Sequence, residues 1–174
     1  DIGVHIMEMA HYVMGSPRPI AATGHTFQYI GDRPCDVACA WADWDHESYT
    51  VEDLAVGHIR FENGAVMQVE ASFAAHVKDS WNFTFMGEKG GADFENLAIH
   101  MDEHGYMVDK TPAWLPECDY FERKMRAFVD TALYGKPTES SGEDGLVIQR
   151  MIDGMYRSAE LGREVSLDPA DAVG

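Results

Sequence analysis

Asp1 and His5 stand four residues apart at the start of DIGVHIMEMAHYVM. On a helix that spacing puts both on one face, and Glu8 follows on a neighbouring part of it. A histidine beside a carboxylate suits proton transfer. The imidazole titrates near neutrality, and the acid can orient it or raise its pKa. Gly3 between them removes a side chain, so another backbone or a ligand can come close. On spacing alone the signal is weak, and a solvated i,i+4 contact on a surface helix is the favoured reading. A second group is His76, Lys78 and Trp81, just beyond a strand expected to end at Ala75. Those three would line a pocket for a polyol, or form an ordinary exposed loop around one half-buried Trp.

Other chemistries find little footing. His5, Glu8 and His11 do not make HExxH. Cys35, Cys39 and Cys118 lack a CxxC pair, so no metal site is expected. Neither GxGxxG nor a P-loop occurs, and Gly87 to Gly91 reads as a turn between strands, with no helix behind it to hold a phosphate. The formal charge of −17 argues against nucleic acid and anionic lipid as partners. An odd, scattered set of three cysteines suits a reducing cytoplasm. No apolar run approaches the roughly 20 residues that span a bilayer. The 174 residues suggest one domain. The chain opens inside a helical pattern without a Met, as a piece of a longer parent would.

These residues need elements to place them. Residues 1 to 14 predict a helix, with Ile2, Ile6, Met9 and Val13 as its apolar stripe and Gly15-Ser16-Pro17 as its stop. Residues 20 to 30 predict a strand, and a short strand is expected near Cys39 to Asp43. Two alternating runs, Leu54 to Phe61 and Ala65 to Phe73, flank Glu62-Asn63-Gly64, a hairpin signal because Asn and Gly both tolerate positive φ. Further strands are expected at Trp81 to Met86, Ala92 to Phe94, Leu97 to Met101, Tyr106 to Val108 and Glu164 to Leu167. Helices are expected over 117 to 134 and 142 to 161, and a disordered tail after them. The order is helix, antiparallel strands, then two helices. That is an α+β class: one open, mostly antiparallel sheet with helices packed on one face.

Four stretches resemble the glucose-fructose oxidoreductase / inositol dehydrogenase (Gfo/Idh/MocA) family. DIGVHIMEMAHYVMGSP resembles its Asp-Gly-His helix start. TVEDLAVGHIRFENGAVMQVEASF resembles its hairpin, EDxAxxxxxFxNGAxxxxxxS. FMGEKGGADFE resembles the strand turn after it, and SGEDGLVIQRMIDGMYRSAELGREVSL its closing helix with a Tyr-x-Ser-x-x-x-Gly ending. The resemblance runs from Asp1 to about Leu167. It implies a single C-terminal substrate and oligomerisation domain over 1–174. It also implies a separate Rossmann domain for NAD or NADP, and homo-oligomers formed through the open sheet face. The family's D-x-x-x-H pair falls on Asp1 and His5, with His5 as general acid/base on a sugar, inositol or related polyol and Asp1 orienting it. The family's Glu-Lys-Pro lysine is absent, since Glu88-Lys89-Gly90 lies in the sheet turn. Glu8 stands where many relatives have Asp. The isolated chain is therefore expected to be inactive and to hold no cofactor alone. The alternative is a non-catalytic oligomerisation or ligand-binding module.

Overall fold

The computed structural model describes residues 2–35, 44–138 and 140–168. Asp1, the strand expected near Cys39 to Asp43, and the tail after Asp168 lie outside the described residues. The chain divides into two units. One runs up to Asp79 and resumes at Gly145; the other is Ser80–Asp144.

The first unit begins with α1 (Ile2–Val13) and β1 (Pro19–Phe27), followed by the hairpin β2 (Leu54–Phe61) and β3 (Val66–Ser72). Strands β4 (Thr84–Gly87), β5 (Gly90–Asp93), β6 (Ala98–Glu103) and β7 (Tyr106–Lys110) belong to the second unit, with α2 (Tyr120–Tyr134) after them. Then α3 (Gly142–Leu161) leads back into the first unit and to the short β8 (Val165–Ser166). Every described strand pairing is antiparallel. The α+β class is as the sequence implied. The strands form two four-stranded ladders, β3-β2-β1-β8 and β4-β5-β6-β7, where the pattern had been read as one sheet.

Alternation sets the faces of the first sheet. In β2, Gly57, Ile59 and Phe61 are buried while His58 and Arg60 are exposed; in β3, Met67 and Val69 are buried between Val66, Gln68 and Glu70. The register pairs Ala22 with Ile59 and Ile59 with Met67, so these side chains share one face. Both helices cover that face. Met151 and Ile148 of α3 are almost fully buried, as are Ile59 and Phe61 of the sheet. Each such side chain contributes about 1.5–3 kcal/mol.

Small residues decide how closely the helices lie. A Cβ on Gly24 of β1 would fall 2.4 Å from the Met155 carbonyl oxygen, and one on Gly154 would fall 3.0 Å from the Ala22 Cβ. The Gly24 N–H donates to Ser158 Oγ at 3.0 Å, and that hydroxyl donates to the Arg163 carbonyl at 2.7 Å. On α1, a Cβ at Gly3 would sit 3.1 Å from the Ala71 Cβ of β3. The buried residues of α1 are Met7, Ala10 and His11, not the stripe of Ile2, Ile6, Met9 and Val13; Ile2 and Val13 are exposed. The helix is rotated so that Gly3, Met7, Ala10 and His11, not the expected stripe, turn toward the sheet.

The β2–β3 turn also differs in detail from the expectation. Only Gly64 has positive φ (85°), and Asn63 does not. The Gly64 N–H bonds the Phe61 carbonyl at 3.0 Å, and Asn63 Oδ1 accepts the Ala65 N–H at 3.1 Å. This is a three-residue loop: a turn followed by a left-handed glycine.

In the second unit, β4 starts at Thr84, later than the expected Trp81. Phe83 stacks on Phe94 at 4.6 Å and meets Phe85 edge-on at 5.3 Å. Helix α2 is capped by Asp119, whose Oδ1 accepts the Glu122 N–H at 2.9 Å, and ends on a left-handed Gly135. No residue of α2 is buried.

Candidate functional site

On α1, Met7, Ala10 and His11 are buried, and Gly3 is set against β3. At about 100° per residue, His5 then points almost directly away from the sheet. It is exposed, and Tyr12, two turns on, is exposed on the same side. His5 is thus offered to whatever lies over α1 and takes no part in the core. Its expected partner Asp1 lies outside the described residues. His11 has a structural part: its Nε2 is 2.8 Å from the Pro17 carbonyl oxygen, and its ring stacks on Phe61 at 5.7 Å.

The other expected group does not stay together as a set. His76 lines a pocket of about 270 Å³ at one end of the first sheet, with Phe27, Tyr29 and Leu54. Lys78 is exposed on the same loop and is not part of that lining. Trp81 belongs to the second unit and is about half exposed.

Two features escaped the sequence reading. The first is a small cavity of about 60 Å³ beneath the opening turns of α1, walled by Val4, Met7, Val69 and Met155. Its polar rim is Thr26, Glu52 and Tyr156. The Tyr156 hydroxyl donates to Glu52 Oε1 at 2.6 Å. Burial first, and then this bond to a carboxylate, push the phenol up to about 12. Tyr156 is thus held as a neutral hydrogen-bond donor to Glu52. The signals were present, the Tyr of the Tyr-x-Ser-x-x-x-Gly ending and the Glu of the Glu-Asp pair, but their meeting spans 104 positions.

The second is Asp53, only 3% exposed. Its Oδ2 accepts the N–H groups of Tyr29, Ile30 and Gly31 at 2.7, 2.6 and 3.0 Å. Its own carbonyl accepts the Phe73 N–H at 2.9 Å and the Ser72 hydroxyl at 3.0 Å. Burial raises the carboxyl's pKa, but the three amides and the Arg33 charge outweigh it, and the net direction is down. One residue thus fastens the segment after β1 to the end of β3.

These motifs and this fold have relatives. The profile of the "Oxidoreductase family, C-terminal alpha/beta domain" matches residues 1–167. The chain belongs to the Gfo/Idh/MocA oxidoreductases, as their C-terminal domain. D-glucoside 3-dehydrogenase of Escherichia coli (strain K12) is 33% identical over 171 residues, which is 96% of this chain and 48% of that protein. Levoglucosan dehydrogenase in complex with NADH is similar in fold, with a TM-score of 0.72, 23% identity, and coverage of 96% of this chain and 49% of that one. Aldose-aldose oxidoreductase from Caulobacter crescentus, complexed with glycerol, has a TM-score of 0.71 and 22% identity over 95% of this chain and 46% of its own. The chain spans about half the length of the curated relatives it matches. Among the described residues, no helix is long and apolar enough to cross a membrane.

Proposed function

We propose that this chain is the substrate-side, catalytic half of an NAD(P)-dependent oxidoreductase acting on a ring hydroxyl or carbonyl of a sugar or related polyol, with His5 as general acid/base and Asp1 as its orienting carboxylate. One observation carries the reading: His5 sits in a family-matched helix, on the face turned away from the core that the rest of α1 serves. A histidine kept only for packing would be placed like His11. The relative at 33% identity makes a D-glucoside the first substrate to try.

The dinucleotide does not fit this chain alone. Gly87–Gly91 joins β4 to β5 in a hairpin, so its amides serve a strand ladder and lead into no helix that could hold a diphosphate. NAD or NADP is therefore assigned to a Rossmann half beyond this single C-terminal domain, and the nicotinamide supplies the hydride chemistry when bound. What falls to this chain is to take the proton from the substrate hydroxyl on the His5 imidazole as a carbonyl forms, and to return it in reverse. His76 and Lys78, on one loop of the first unit, are assigned to holding the polyol. Subunits pair through the outer face of the first sheet, where Val56 and Val66 lie among His58, Arg60 and Gln68.

The test is His5→Ala in the complete protein, assayed with both cofactors and a panel of glucosides. We expect kcat/KM to fall by about 10²–10⁴-fold. The thermal midpoint should hold, because His5 is exposed. Undiminished turnover would remove His5 from the chemistry.

A further inference from the structure

We propose that the apolar face of α2 is the seat for the other half of the same polypeptide, the half assigned above to the dinucleotide. The identity of that half rests on the function proposed above; the seat itself rests on the construction of the helix.

The stripe comes first. At 100° per residue, Phe121, Met125, Phe128, Val129 and Ala132 fall within about 100° of one another around α2. Phe121, Met125 and Phe128 are 60%, 57% and 65% exposed, and none is buried by any described residue. The opposite face closes on itself. Arg126 pairs with Glu122 one turn away, and Lys136 pairs with Asp130 at 2.6 Å. The polar side of the helix is therefore complete within this chain, and the apolar side is not. An apolar centre with a satisfied polar rim is the anatomy of an interface.

The helix is well formed all the same. Asp119 caps its start and a left-handed Gly135 ends it. A helix of 15 residues is marginal in water by itself. Most helical stability in proteins comes from packing an amphipathic face. The described residues do not supply that packing, so a partner does.

Three occupants compete. A membrane surface is disfavoured, because helices that lie on lipid carry a polar face rich in Lys and Arg. Here Arg126 and Lys136 are already matched by carboxylates, in a chain of net charge −17. A second copy is disfavoured by size. The stripe is about 22 Å long and about 10 Å across, while separate chains need about 800 Å² per partner for a stable complex. A tethered half escapes that demand, because its linker holds it at about millimolar effective concentration. Long relatives do carry this helix. The family profile runs through α2, from residue 1 to 167, and D-glucoside 3-dehydrogenase matches 96% of this chain with 48% of its own length. An α/β half with helices on its faces offers grooves into which such ridges pack. On this chain alone, trimming Phe128 removes little; in the complete protein it removes a covered ring.

The experiment uses the complete protein with the photo-cross-linker p-benzoylphenylalanine at one position, Phe128→p-benzoylphenylalanine. A second sample carries the probe at Arg123, on the polar face. Peptide mapping by mass spectrometry after irradiation identifies what each probe touches. We expect the probe at Phe128 to join the other half within one polypeptide, and the probe at Arg123 to lose that product. A covalent dimer, a product confined to residues 1–174, or no product from a folded sample overturns the proposal. If the Phe128 variant does not fold, the same probe at Met125 decides in the same way. Titration with NADH and NADPH is read separately. A complete protein that binds neither overturns the function proposed above. The cross-link still decides the seat on α2, because it needs no turnover.

Discussion

The two units are stabilised in different ways. In the first, the sheet meets two helices over a dry face, and Ile59, Phe61, Ile148 and Met151 lose almost all contact with water. In the second, Ala98 is the one buried apolar residue found among the described residues, and α2 buries nothing. Order there comes from a strand meander, the Phe83–Phe85–Phe94 group and polar pairs such as His100–Asp109 (2.6 Å) and Lys110–Glu103 (2.7 Å). Exposed pairs of that kind contribute about 0–1 kcal/mol each. The contrast teaches where precision resides. His5 and the pocket walls are mounted on the unit with the core.

The sharpest way to break the contrast is to remove the same ring from each unit. Phe61 is 1% exposed and Phe128 of α2 is 65% exposed. Phe61→Ala should cost about 3–5 kcal/mol, and Phe128→Ala about 0.5 kcal/mol or less, both read by urea denaturation. Similar losses would mean that α2 is covered in solution.

Next in size is Asp53→Asn. Replacing a carboxylate that accepts three amides should cost about 1.5–3 kcal/mol, and the amides of residues 29–31 should exchange faster with solvent. The pH dependence has a definite sign. The folded carboxyl lies below its ordinary 3.8, so its stabilisation is complete above that value. It is lost as pH falls further, through the folded pKa. The wild type should weaken below about pH 4, and Asp53→Asn should weaken less steeply over the same range. Identical acid profiles would show that the carboxylate contributes no such term.

The smallest effect probes the second unit alone. Asp119→Ala removes the cap of α2 and should cost about 1 kcal/mol of helix stability, seen as lost helical circular dichroism. The Phe61 environment should not change. A shift there would show that the cap of α2 also bears on the first unit.

The sequence showed some of this plainly and hid the rest. The β2–β3 hairpin was legible because one face of it is dry: alternation from Leu54 to Ser72 is a direct record of burial. Helix α3 was legible from its long apolar spacing. The rotation of α1 was not, because the sequence ranks Ile2 and Val13 above Gly3 and Ala10 for burial, and only the approach to Ala71 reverses that order. The Asp119 cap was within reach of the rules, but the expected helix was begun at Glu117. Tyr156 with Glu52, and Asp53 with Tyr29 to Gly31, join residues far apart in the chain, and no local pattern records such meetings. Asp53 was visible as a motif letter whose work could not be read.

The manner of the Asp53 grip has one more consequence. The carboxylate holds residues 29–31 by their main-chain N–H groups, which every amino acid except proline supplies. The frame is therefore indifferent to which side chains stand at Tyr29 and Ile30. Substitutions there can change the surface and leave the scaffold in place. Such changes can accumulate one residue at a time, with proline as the excluded choice.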